Sequence, residues 1–348
     1  PANGTITSGE SPTKKIDCGA TCSATYAYND SVTLTATAAT GYTLSTWTGA
    51  CSGSASTCTL TIDGPKTVGA TFTVNSYALT VNSPSNGTIS GPGISCGATC
   101  SATFTYGTSV TLVATPATGY SFTAWTGACS AEVTTTCTVS MTQIRTVSAT
   151  FTINSYTLTV AQTANGTITT NAGGINCGAT CTATYTYGAS VQITATAATG
   201  YTFSAWSGAC SGSTSPCTIT IDGNKSVSAT FTVNTYLVTV TSPSNGTVSG
   251  LGINCPTDCT ESYAYGTSVT LVATPATGYS VGTWSGGTCS GSAATCTFTV
   301  SDAVTAAVSF TKNNYTLTVT SPANGTITSG ESPKKIDCGA TCSATYAY

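Results

Sequence analysis

The chain has no histidine, and only 5% of its 348 residues are charged. Without imidazole it lacks the side chain that ordinarily changes charge near neutral pH, and with it the commonest general base and metal ligand. The 8 Lys and Arg against 11 Asp and Glu give a net charge of −3. No basic patch can form on that inventory, so neither nucleic acid nor an anionic lipid surface is an expected partner. Carboxylates are equally thin: residues 75–153 hold Glu132 alone, and residues 154–233 hold Asp222 alone. A paired-carboxylate or calcium site needs several acids close together, and no acid recurs at one position along the chain. No enzyme activity, cofactor or metal is therefore expected. No apolar run approaches the roughly 18 residues of a membrane helix, so membrane insertion is not expected, and no signal peptide is visible.

What fills the chain instead is repetition. Residues 1–28 read PANGTITSGESPTKKIDCGATCSATYAY, and residues 322–348 repeat them with only Thr13 missing. The landmark Asn-Gly-Thr starts at Asn3, Asn86, Asn165, Asn245 and Asn324, a period of about 80 residues. The division that follows is a partial repeat lacking its first strand (1–74), complete repeats at 75–153, 154–233 and 234–312, and the first half of another at 313–348. Because the sequence opens and stops in mid-repeat, it reads as a slice of a longer polypeptide or filament. Arrays of this kind make length, which serves mechanical or display functions.

Every repeat follows one script. It opens with an alternating strand such as Tyr156–Val160, with Tyr, Leu and Val on one face and Thr on the other. Asn-Gly follows, the strongest short-range signal for a hairpin with a type I′ turn. A second short strand runs into a cysteine pair. Next comes a long stretch, Cys100–Ala114 in the first complete repeat, with a turn at Tyr106-Gly-Thr. A turn-rich connector, Thr115–Tyr120, leads to a strand carrying Trp125, a second cysteine pair and a closing strand, Val147–Ile153. No stretch shows a 3.6-residue stripe. The expected fold is all-β, a tandem array of antiparallel modules with roughly six short strands each. About two residues separate modules at Asn75, Asn154, Asn234 and Asn313, which predicts a semi-rigid, rod- or fibre-like array.

A module of about 79 residues buries a thin core and needs staples. The 18 cysteines supply them. One pair per repeat is spaced C-x3-C: Cys18/Cys22, Cys96/Cys100, Cys177/Cys181, Cys255/Cys259 and Cys338/Cys342. The other pairs are Cys51/Cys58, Cys129/Cys137, Cys210/Cys217 and Cys289/Cys296. Four cysteines allow three pairings. Local pairing is the expectation, because the terminal half-repeat holds only the first pair. It requires a tight turn at Cys-Gly-Ala-Thr-Cys, since residues four apart on an extended strand are about 13 Å from each other. A four-cysteine zinc site is the alternative, although structural zinc usually takes tighter knuckles and often histidine. A disulfide framework places the chain outside the cytoplasm.

Each repeat also carries Gly-Tyr (Tyr42, Tyr120, Tyr201, Tyr279) five residues before a Trp (Trp47, Trp125, Trp206, Trp284). A second aromatic pair lies two apart: Tyr26/Tyr28, Phe104/Tyr106, Tyr185/Tyr187 and Tyr263/Tyr265. Residues two apart on a strand share a face, so these pairs could stack on sugars; filling a small core beside the disulfides is the plainer reading. Asn-Gly-Thr also matches the N-glycosylation acceptor, with the hairpin turn as the preferred explanation. A basic position nearly recurs at Lys66, Arg145 and Lys225, with Val304 in its place in the last complete repeat, and reads as a solvated turn.

The string Tyr-x-Leu-Thr-Val, Asn-Gly-Thr, Cys-Gly-Ala-Thr-Cys, Thr-Gly-Tyr, Trp-Ser/Thr-Gly-Ala-Cys-Ser-Gly and Ser-Val-Ser-Ala-Thr-Phe resembles the divergent internalin B-repeat family of bacteria. The likeness covers the whole chain, repeat by repeat. The last complete repeat departs from its siblings at Pro256–Asp258 and at Gly286–Thr288. The resemblance implies a small β-rich module used in tandem in large secreted and surface-anchored proteins, with a spacer, adhesive or display role. Better-known relatives have a β-grasp fold with a helix, for which this chain shows no signal. The resulting expectation is a secreted structural protein of the cell surface, a fibre, stalk or adhesin shaft that self-associates. The alternative is a carbohydrate-binding array that uses its surface aromatics on host or environmental glycans. In a second structural version, the spare strand Tyr315–Val319 completes the first repeat of another copy, in competition with residues 322–348 for the same place.

Overall fold

A computed structural model describes residues 1–9, 15–96, 99–161, 163–178, 180–333, 335–338 and 342–348. Among them there is no helix, and the strands alternate as the sequence pattern requires. In Ser109–Pro116, Val110, Leu112 and Ala114 are buried, while Ser109, Thr111 and Val113 face outward. Threonine is the polar half of this alternation because its β-branched body fits a pleated surface without charge.

Each complete repeat is two four-stranded sheets across one core. In residues 75–153 the first sheet runs Tyr120–Gly127, Arg145–Ile153, Ser76–Val81, Ser101–Thr105 from edge to edge. The second runs Thr136–Ser140, Ser109–Pro116, Gly87–Gly91, Ile94–Ser95. Leu79, Val81 and Val147 from the first sheet meet Ile89, Val110 and Leu112 from the second in one buried cluster. Burying each of the larger side chains contributes about 2 kcal/mol, and together they hold the sheets face to face. The same two sheet orders recur in the next two repeats. Among the described residues the repeat has eight strands rather than six. The two missed are the two-residue strand before the first cysteine pair, too short to carry a pattern, and Thr136–Ser140, which begins inside the second cysteine loop.

One pairing departs from the antiparallel expectation. The opening strand lies parallel to the closing strand of its own repeat, with Leu79, Thr80 and Val81 opposite Arg145, Thr146 and Val147. Leu158–Val160 lie likewise against Lys225–Val227, and Val238–Val240 against Val304–Ala306.

Asn-Gly is not a hairpin turn. The strands on its two sides belong to different sheets, and the dipeptide carries the chain from one to the other. Asn86 is left-handed, with φ at 66°, but the following Gly87 is not, whereas a type I′ turn needs both. Glycine is required here for a different reason: a Cβ on Gly87 would overlap the ring of Phe151 in the closing strand. Gly4, Gly166 and Gly246 lie against Phe72, Phe231 and Phe310 in the same way.

Residues group into two compact units, Pro1–Tyr156 with Tyr185–Ala189, and Thr157–Thr184 with Ser190–Tyr348. In the first unit, residues 1–74 form a three-stranded sheet, Gly4–Ser8, Ser31–Ala38, Thr57–Thr61, and a two-stranded one, Tyr42–Gly49 with Val68–Val74. In the second unit, the terminal half-repeat contributes Asn314–Thr318 paired with Ser343–Ala347.

Candidate functional site: the joint between repeats

The feature built most consistently along this chain is the place where one repeat becomes the next. A single asparagine separates each closing strand from the following opening strand: Asn75, Asn154, Asn234 and Asn313. Each asparagine is tied three times. The Asn75 N–H donates to the carbonyl of Gly41 in the preceding repeat at 2.8 Å, and its own carbonyl accepts from the Tyr106 N–H of the following repeat at 2.8 Å. Its side-chain oxygen accepts from the hydroxyl of Thr43 at 2.6 Å. The same three ties recur at Asn154 with Gly119, Tyr187 and Ser121, all within the first unit. In the second unit they recur at Asn234 with Gly200, Tyr265 and Thr202, and at Asn313 with Gly278, Tyr348 and Ser280.

An aromatic seat completes the joint. The rings of Tyr106, Tyr187, Tyr265 and Tyr348 lie on the bare faces of Gly41, Gly119, Gly200 and Gly278, where any Cβ would overlap the ring. These glycines also sit at φ between 81° and 84°, so conformation and contact both demand glycine. Each is the third residue of a turn closed by the N–H of the following tyrosine, as in Tyr120 to Ala117 at 3.0 Å. The recurring Gly-Tyr of the sequence thus marks the joint, and the aromatic pair divides its labour. Phe104 packs against its own core and Tyr263 is buried, while Tyr106 and Tyr265 reach the preceding repeat. They do not present one shared platform. The signal that sequence reading passed over was the pairing of Gly-Tyr in one repeat with the second aromatic in the next.

The tryptophans are core residues. Trp47, Trp125, Trp206 and Trp284 are all at most 4% exposed. Their indole N–H groups donate to Ala55, Thr134, Thr214 and Ala293 at 2.7–3.0 Å, carbonyls inside the second cysteine loop of each repeat. A bulge between Phe122 and Ala124 turns Phe122 and Trp125 to the same side, with ring centroids 5.7 Å apart. Burial thus leaves these rings no face for a sugar.

The structure joins eight cysteine pairs. Cys18–Cys22, Cys96–Cys100, Cys177–Cys181 and Cys255–Cys259 have Cα atoms 4.4–4.5 Å apart. Cys51–Cys58, Cys129–Cys137, Cys210–Cys217 and Cys289–Cys296 have them 5.6–6.2 Å apart. The tight turn at the first pair is visible in reciprocal backbone bonds between the residues just before each cysteine, as between Ser95 and Thr99 at 2.9 Å. Of the loop interiors, residues 97–98, 179 and 339–341 lie outside the described residues. Cys338 and Cys342 depart from the expected pairing and stand as thiols. The Cys338 thiol is pushed up to about 11, first by its hydrogen bond with Cys342 and then by burial. Among the described residues around them, Asn314–Thr318 pairs with Ser343–Ala347.

At the start of the closing strand, the basic position bridges its own turn. Lys66 meets Asp63 at 2.5 Å and Lys225 meets Asp222 at 2.6 Å. The hydrogen bond from each lysine, and then its charge, hold the aspartate below the usual carboxylate range. In residues 75–153, Arg145 donates to the Thr142 hydroxyl at 3.2 Å instead. Among the described residues no three His, Cys, Asp or Glu side chains converge as metal ligands.

Among solved structures, the chain is similar to the Bacillus anthracis TIE protein at 10% identity, over 90% of this chain and 67% of that one, with a TM-score of 0.43. It is also similar to two B repeat units of the collagen binding protein of Staphylococcus aureus at 10% identity, over 89% and 94% of the two chains, with a TM-score of 0.15. No curated protein matches. The divergent InlB B-repeat domain matches four times in tandem, at residues 2–76, 77–155, 156–235 and 236–314. The chain therefore belongs to the family of divergent InlB B-repeat domains.

Proposed function

We propose that this chain is a tension-bearing structural protein, a tandem array that makes length outside the cell as a fibre, stalk or adhesin shaft. The observation that carries this reading is the parallel pairing of opening and closing strands in all three complete repeats. Tension enters a repeat at the start of its opening strand and leaves at the end of its closing strand. It therefore pulls two parallel neighbours in opposite directions along their length. The bonds between them are loaded together instead of parting one by one, and that geometry resists force. The cysteine staples and the tied asparagine joint support the same reading, since each limits how far a repeat or its boundary can yield. Disulfides persist in oxidising surroundings, which supports a location in the extracellular space or at the cell surface. The chain has no catalytic role, and neither nucleic acid nor the bilayer interior is a partner. Sparse charge removes the repulsion that keeps sheet edges apart, so copies associate with each other.

The test is single-molecule pulling of the chain by its ends. The N–H of Asn82 donates to Val147, that of Ala161 to Val227 and that of Thr241 to Ala306, each at 2.8–2.9 Å and each extending the parallel pairing. Substituting all three donors by proline removes one such bond per repeat, at about 1 kcal/mol each. A marked fall in unfolding force with a small loss of thermal stability is the expected result. Unfolding force that follows thermal stability alone, with no extra sensitivity to these bonds, would sink the proposal.

A further inference from the structure

Asn-Gly carries the chain between the two sheets of every complete repeat, and it is also the dipeptide most prone to spontaneous deamidation. In that reaction the glycine nitrogen, shielded by no side chain, attacks the carbonyl carbon of the asparagine side chain. The N–Cγ bond forms, the nitrogen gives its proton to water, and the side-chain amide leaves as ammonia. Water then opens the resulting succinimide, at one carbonyl to aspartate and at the other to isoaspartate. The ring closes only when the glycine nitrogen lies on the same side of the Cα–C bond as Cβ. In the complete repeats the backbone holds it on the opposite side. Asn86, Asn165 and Asn245 have φ of 66°, 69° and 64°, in the left-handed region. There the next nitrogen is trans to Cβ, as far from the side-chain carbonyl as rotation about Cα–C allows. Two contacts hold that rotation. The asparagine carbonyls accept from the N–H groups of Ala117, Ala198 and Ala276, each at 2.9 Å. The glycines that follow lie against Phe151, Phe231 and Phe310, rings of the closing strands. The asparagines themselves are exposed, so water is not what is withheld.

We propose that these three Asn-Gly pairs are modification sites closed by the fold, which deamidate once their repeat is held open. Attack requires the peptide between Asn86 and Gly87 to turn to the other side of the Cα–C bond. That movement breaks the bond from Ala117 and draws Gly87 away from Phe151. In an open repeat both restraints are gone, and the reaction proceeds with water as its only co-reactant. Isoaspartate routes the backbone through the former side chain and lengthens it by one methylene. The strand Gly87–Gly91 then no longer regains its register with Ser109–Pro116. A new carboxylate also appears on a chain whose net charge is only −3. A repeat that recloses promptly is thus unchanged, and one left open is marked for good. The inference does not rest on the tension-bearing reading, since any opening starts the same chemistry.

The experiment ages the native oxidised chain beside the same chain reduced and kept in guanidinium chloride, both in mildly alkaline buffer. Aliquots are digested with pepsin in acid, where deamidation is arrested, and asparagine, aspartate and isoaspartate at Asn86, Asn165 and Asn245 are quantified by mass spectrometry. Conversion in the native chain is expected to be slower by at least about a hundredfold, as an opening free energy well below a domain's whole stability would give. Phe151→Leu loosens the contact on Gly87 alone. It should speed Asn86 by up to about tenfold while Asn165 and Asn245 keep their rates, read on protein whose thermal transition is still cooperative. Native and unfolded chains that age alike at the three sites overturn the inference. So does a Phe151→Leu chain in which Asn86 ages no faster than in the wild type, since the ring would then guard nothing. Neither result bears on unfolding force, so the load-bearing reading is tested separately.

Discussion

Glycine at the joint answers two demands at once, one of conformation and one of contact. At Gly119 a side chain would meet a backbone held at φ 82° and a tyrosine ring lying on the same face. Gly119→Ala should cost about 1–2 kcal/mol from the left-handed backbone alone, and more as Tyr187 is pushed from its seat. Hydrogen exchange should show it first at the N–H of Asn154, which donates to the Gly119 carbonyl at 2.8 Å. Gly107 makes the control, since its φ is 82° but a Cβ there meets nothing. Gly107→Ala should lose the backbone part only and leave the joint amide protected. Equal deprotection in both variants would show that the ring contact contributes nothing. A second prediction concerns acid. The folded aspartates 63 and 222 are held below their usual range, so what they add is present above the ordinary carboxylate value and is lost as the pH falls through their lowered one. Both are exposed, so the effect is small. Asp222→Asn should behave like the wild type at low pH and be the less stable of the two at neutral pH, by urea titration at each pH.

At the scale of strands, local pattern was a good guide and distant pairing was invisible to it. The alternation of Val110, Leu112 and Ala114 with Ser and Thr fixes a strand and its buried face, and the structure agrees. The joint asparagines were also legible as boundaries, because two alternating runs meet there. Asn-Gly was misread because its partner is remote: nothing near Gly87 reveals that Phe151 will lie against it. The parallel pairing was missed for the same reason, since Leu79 and Arg145 come together only once the whole repeat is built. Cysteine spacing carried more than it seemed to, because a turn tight enough for C-x3-C makes backbone bonds of its own. The loop-entropy estimate gives about 2 kcal/mol for each short C-x3-C loop and about 2.5 kcal/mol for the longer one. Replacing Cys129 and Cys137 by serine should therefore lower unfolding free energy by about 2.5 kcal/mol, read as the shift in denaturation midpoint at unchanged slope. Replacing Cys96 and Cys100 should cost less than that estimate, because the Ser95–Thr99 bonds already restrain the loop. If the shorter loop proved the costlier to open, its disulfide would be holding more than its own turn, with the nearby opening strand as the first place to look.

For the molecule as a whole, disulfides and parallel strands act on different parts of the response to force. In the load-bearing array proposed above, the parallel pair sets how hard a repeat must be pulled before it yields, and the staples set how far it then extends. Both cysteine loops lie between the opening and closing strands, so neither bond bridges the pair that bears load. In an oxidised repeat the residues inside the two loops are bypassed, which shortens its fully extended contour of about 275 Å by about 30 Å. Pulling the chain in oxidising and reducing buffer should thus show steps differing by about 30 Å at nearly the same peak force. Three such steps are expected, one for each complete repeat, from the opening strands Ser76–Val81, Ser155–Val160 and Thr235–Val240. A peak force that collapses on reduction while the step lengthens would move the mechanical clamp from the strands to the staples. Equal step lengths in the two buffers would mean that the cysteines are not closing these loops at all. Lengthening at constant force is the outcome that assigns resistance to the sheet and reserve length to the disulfides.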